Sequence, residues 1–131
     1  MRARWALLEA GLMVQWREIA LKAKPAAMLE VSAKGTVPVL VLPDGSVIDE
    51  SLAIMRWALL QADPRGGLGA ADSAFLIEEN DGPFKHHLDR FKYTDRYPGA
   101  LKEDHRQAGL VILRRWSERI SENGWLLANR M

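Results

Sequence analysis

The sequence predicts an α/β unit followed by an all-α unit, and three observations lead there. Two short apolar runs, Val37 to Leu42 and Ser46 to Ile48, flank the turn Pro43-Asp44-Gly45-Ser46 and hand directly into a helix start at Ser51. A composition break, Ala62-Asp63-Pro64-Arg65-Gly66-Gly67, follows that helix. Beyond the break, apolar residues recur at three- and four-residue intervals, the period of a helix. With 131 residues the chain is long enough for one core, or for two small units sharing one. A chain of that size buries about two-thirds of its extended surface on folding.

Arg2 to Leu12 places Trp5, Leu8 and Leu12 at helical spacing, with Gly11 as terminator, and predicts an amphipathic helix. Val14 to Leu21, VQWREIAL, alternates but changes parity in the middle, which predicts a strand with a bulge. Pro25 opens a short helix over AAMLEV, and Ser32 to Gly35 breaks it. Val37 to Leu42 and Ser46 to Ile48 are then an antiparallel hairpin about a Pro-Gly turn. In SLAIMRWALLQA, Ser51 to Ala62, only Arg56 and Gln61 are strongly polar, so this helix is expected to be buried on more than one side.

After the break, Asp72 to Tyr93 carries Phe75, Leu76, Phe84, Leu88 and Phe91, and Gly82-Pro83 predicts a bend or a new start. Tyr97-Pro98-Gly99 separates it from a long last helix, on which Leu110, Leu113, Trp116 and Ile120 form a stripe with Ile112 beside it. The boundaries are therefore 1–62, a linker over 63–71, and 72–131. Most of the five tryptophans, Trp5, Trp16, Trp57, Trp116 and Trp125, are expected to be core or interface packing residues.

Eighteen Lys plus Arg against seventeen Asp plus Glu leave a formal charge of +1. Arg114, Arg115 and Arg119 are interleaved with Glu118 and Glu122, a solvated helix face rather than a nucleic-acid surface. The absence of cysteine excludes a disulfide framework, a thiol nucleophile and a thiolate metal site. No apolar run reaches membrane-spanning length and no leader pattern is present, so the expectation is a soluble cytoplasmic protein.

Chemistry is best placed at the hairpin and the helix start that follows it. Ser51 at a helix start can cap first-turn amides, and those donors with the helix dipole favour a carboxylate or phosphate. Glu50 beside it can accept from an ammonium group, so the two suit a zwitterionic, amino-acid-like head. On the residues alone, an ordinary N-cap beside a solvent-exposed acid is the stronger reading. Pro38, unable to donate to a ladder, belongs at a strand edge or first residue. A cis bond there would turn the Val37 backbone outward for a peptide-like ligand. His86 and His87 with Asp89 invite a metal reading. Adjacent helical residues point about 100° apart, however, and His105 lies far along the chain, so solvent-exposed or locally bonded roles are favoured and no metal is expected. No phosphate loop, HExxH pattern, GxSxG elbow or catalytic-triad spacing occurs.

The segments MRARWALLEAG, KPAAMLEVSAKGTVPVLVLPDGSVIDESLAIMRWAL and ENDGPFKHHLDRFKY closely resemble bacterial members of the glutathione S-transferase family. The resemblance covers most of residues 1 to 130. It implies a thioredoxin-like N-terminal domain and an all-helical C-terminal domain, with Pro38 cis, the Val37 backbone on the cysteinyl part of glutathione, and Glu50 with Ser51 on the γ-glutamyl end. It also implies glutathione as co-substrate and an electrophile or disulfide as second substrate, while the apolar faces of a core lacking both ends predict self-association as a homodimer. The family's first strand and its catalytic serine, tyrosine or cysteine fall upstream of the position matched by Met1, and its last helix falls beyond WLLANRM. The expectation is thus an incomplete family core, with catalytic residue unknown and Arg2 or Arg4 as a substitute source of positive potential. Its alternatives are a weak or altered transferase and a non-catalytic, self-associating protein.

Overall fold

In the computed structural model, residues 1–70 and 72–127 are described, and the close of WLLANRM lies outside them. Two units are distinguished, Met1–Leu68 and Gly69–Met131.

The first unit opens with α1 (Arg2–Glu9). Its buried residues are Ala3, Ala6 and Leu7, and these pack with Ile54 and Ala58 of α3 (Ser51–Gln61). The expected stripe is therefore on the wrong side: Trp5 is 66% exposed and Leu8 73% exposed. Alanines facing alanine let the two helix backbones approach closely, which a face of Trp and Leu would prevent. Gly11 ends α1 at φ 67°, with the Leu12 amide donating to the Leu7 carbonyl and the Gly11 amide to the Leu8 carbonyl. That paired arrangement satisfies two of the helix's orphan carbonyls.

The strand expected over Val14 to Leu21 is absent. This segment is irregular and exposed, with a single bridge between Ala20 and Ala23. Alternation alone does not make a strand, because its backbone groups need a neighbour to bond with. The sheet among the described residues is the two-stranded pair of β1 (Val39–Val41) and β2 (Val47–Asp49). Trp16 instead stacks under the Arg4 guanidinium at 3.7 Å and donates to the Glu18 carboxylate.

The short helix α2 (Ala26–Val31) follows Pro25, which stands at its N-cap. The hairpin is antiparallel, with Val39 opposite Asp49, Leu40 opposite Ile48 and Val41 opposite Val47. Its turn is held by the Asp44 carboxylate, which accepts from the Ser46 amide and hydroxyl. Leu40 and Ile48 pack against the α1–α3 core. Only one side of α3 is fully buried: Ile54 and Ala58 are covered, whereas Leu60 is 74% exposed. After α3, Asp63 caps the amides of Gly67 and Leu68, so the start of the expected linker is an ordered turn.

The second unit is helical. α4 (Ser73–Glu79) passes through a π turn at Asn80–Phe84 into α5 (Lys85–Lys92), so Gly82-Pro83 shifts the hydrogen-bond pattern of a continuing helix. α6 (Lys102–Asn123) runs back along them: Glu79 meets Arg115 and Trp116, Phe84 meets Trp116, and His87 meets His105. Partner numbers fall as one's own rise, which makes the pairing antiparallel. Gly109 and Ile112 are the buried residues of α6, while Leu113 and Ile120 of the expected stripe are exposed. Of the tryptophans, Trp57 and Trp116 are half-buried and packed, whereas Trp5, Trp16 and Trp125 are exposed in the single chain.

Candidate functional site

Three segments of the first unit meet where β2 hands into α3. The hairpin delivers Asp49 and Glu50, and Glu50 adopts φ 71° and ψ 123° as the chain swings into the helix. A non-glycine residue in that region is uncommon and costs free energy, and such residues cluster at binding sites. The helix begins at Ser51, so Ser51 occupies the first helical position and Glu50 the cap position. This corrects the expected serine cap: no side chain caps the helix, and the Ser51 hydroxyl accepts from Arg2 Nε at 2.8 Å. The guanidinium arrives because α1 packs on α3, bringing together residues 49 apart in the chain.

On the other side, Lys34 Nζ lies 3.1 Å from the Glu50 carboxylate and 3.6 Å from that of Asp49. Hydrogen bonding to Glu50, then the charge of Asp49, raises the Lys34 pKa above its ordinary value. The corner therefore holds two cations, two acids and a hydroxyl at a helix N-terminus. Sequence reasoning weighed Arg2 only as a source of field and missed Lys34. Arg4 is engaged elsewhere, 2.5 Å from Glu18. Val37 is half-exposed, two residues before the ladder begins, and the Val37–Pro38 peptide bond is cis. An open groove of about 520 Å³ lies elsewhere, in the second unit, lined by Phe75, Glu79, Trp116 and Arg119 among others.

A second cluster contradicts the reasoning that separated the histidines. His86, His87 and His105 each offer a ring nitrogen within 4.8 Å of the others. The angle between adjacent residues of α5 is bridged by His105, which α6 sets against both. Distance along the chain misled here because α6 folds back on α5. His87 Nδ1 and His105 Nδ1 are 2.9 Å apart, and the His86 ring lies 5.1 Å from that of His87 and 5.6 Å from that of His105. Burial, then the neighbouring His86, His105 and Arg90, lowers the His87 pKa from its ordinary value.

Two helices packed through small residues, with a hairpin that gathers charged and polar groups at one helix start, define a small α/β domain. Residues 1–59 match the family described as Glutathione S-transferase, N-terminal domain, which supports a glutathione S-transferase assignment for this unit. Neither a curated protein nor a solved structure matches the chain. No helix among the described residues is long and apolar enough to cross a membrane.

Proposed function

We propose that the first unit binds glutathione and uses it for weak thiol transfer or conjugation to an electrophile. The observation that carries this reading is the Arg2 guanidinium on the Ser51 hydroxyl at the start of α3. A guanidinium, a hydroxyl and first-turn amides together favour a carboxylate. The γ-glutamyl carboxylate would take that place, and its ammonium would displace Lys34 from Glu50. The exposed Val37 backbone would pair with the cysteinyl part as an added strand does. Residues 72–131 would then be the family's helical C-terminal domain, with 63–71 as linker.

Calorimetry with millimolar glutathione tests the reading. We expect saturable binding that Arg2→Ala weakens about tenfold, the effect of losing a charge-assisted hydrogen bond. Absence of heat beyond dilution would defeat it. Conjugation to an aryl halide, followed by absorbance, is expected to fall with binding in the same variant.

A second reading, a non-catalytic homodimer, is favoured by the exposed Trp5 and Leu8 of α1 and Leu60 of α3. Large apolar side chains left in water on two helices suit a second copy of the chain.

A further inference from the structure

We infer that His86, His87 and His105 form a site for a divalent transition ion of the Zn²⁺ and Co²⁺ type, independent of the glutathione reading. Three imidazoles are a sufficient protein ligand set for such an ion, with water or an external ligand in the fourth position. With Zn–N bonds of 2.0–2.1 Å in a tetrahedron, ligand nitrogens stand about 3.3 Å apart. Here His87 and His105 approach to 2.9 Å, and all three residues have a ligand atom within 4.8 Å of the others. Small rotations about the side-chain bonds therefore suffice to surround an ion. With no cysteine in the chain, the site is one of nitrogen donors, which suits the borderline ions over soft ones.

The helices supply the rigidity. His86 and His87 are consecutive on α5, and His105 stands in the first turns of α6. Between these helices Gly109 faces His87, where an added Cβ would lie 3.9 Å from the His87 Cβ, an ordinary contact distance. His87 and His105 are half-buried, while His86 faces solvent and leaves the cluster open to an entering ion.

Arg90 opposes ion binding. Its Nη1 donates to His86 Nδ1 at 3.0 Å, and its guanidinium lies over the Tyr97 ring. Ligation through Nδ1 needs that lone pair, and ligation through Nε2 needs a proton on Nδ1, which a guanidinium donor disfavours. In either case the arginine must turn away, so its removal should tighten binding.

The test uses the complete, tag-free chain after chelator treatment, titrated with Co²⁺ and followed by its visible spectrum. We expect one Co²⁺ per chain with the intense absorption of a four-coordinate ion, displaced by one equivalent of Zn²⁺. His87→Gln and His105→Gln should each weaken binding by about tenfold or more, in keeping with the 10–100-fold effects of even outer ligand-shell changes. His86→Gln does the same at an exposed position where folding is not at stake, and Arg90→Gln tightens binding. A weak, non-saturating titration, or affinity unchanged by His86→Gln in a chain with an unaltered melting temperature, would overturn the assignment.

Discussion

At Glu50 the backbone lies well outside the compact left-handed well, at φ 71° and ψ 123°. Conformations of this kind cost on the order of 1–3 kcal/mol in a residue with a Cβ. Glycine adopts them without that cost. Glu50→Gly is therefore expected to raise stability by about 1 kcal/mol, read from denaturant midpoints, while lowering glutathione affinity through loss of the carboxylate. Glu50→Gln retains the conformation and should leave stability nearly unchanged, because the exposed pair with Lys34 contributes little. Destabilisation by Glu50→Gly would show that the conformation is not strained.

Among the elements, the α5–α6 contact is where one small residue has two consequences. Gly109 is buried in the middle of α6, where glycine disfavours helix by about 1 kcal/mol relative to alanine. An added methyl would meet His87 at an ordinary contact distance of 3.9 Å. Gly109→Ala is thus expected to stabilise the second unit by about 0.5–1 kcal/mol in urea unfolding and to leave the histidine cluster in place. A loss of stability would mean that the helices require a closer approach than alanine permits. Elsewhere on the same pair, buried Glu79 accepts from Arg115 and from Trp116 Nε1, so a carboxylate is tolerated inside because both its oxygens are bonded.

At the scale of the whole molecule, the fully buried apolar set among the described residues is small, with Ile54 and Ala58 the most enclosed. Large side chains such as Trp5, Leu8 and Leu60 stay in water. Their burial against a second copy would be favourable at roughly 25 cal/mol per Å² of apolar surface. Light scattering over a wide concentration range should therefore show a dimer that dissociates on dilution, and Leu60→Glu should shift the midpoint to higher concentration. A monomeric mass throughout would count against self-association. The charge balance of +1 adds little repulsion to oppose it.

Local pattern was enough to find α1, α2, the hairpin, α3 and the later helices, because periodicity, Pro25, Gly11 and the Asp44-Gly45 turn act within a few residues of themselves. The corner at Glu50 and Ser51 was legible for the same reason, since a hairpin entering a helix is a local event. Faces and partners were not. Which side of α1 is buried depends on Ala58 waiting across the core, and Val14 to Leu21 is no strand because no neighbour offers it a ladder. Arg2 reaches Ser51, Lys34 reaches Glu50 and His105 reaches His87 only after the helices and loops have folded back on one another. Conformational preference is carried by adjacent residues, whereas complementarity between surfaces distant in the chain exists only once they are packed together.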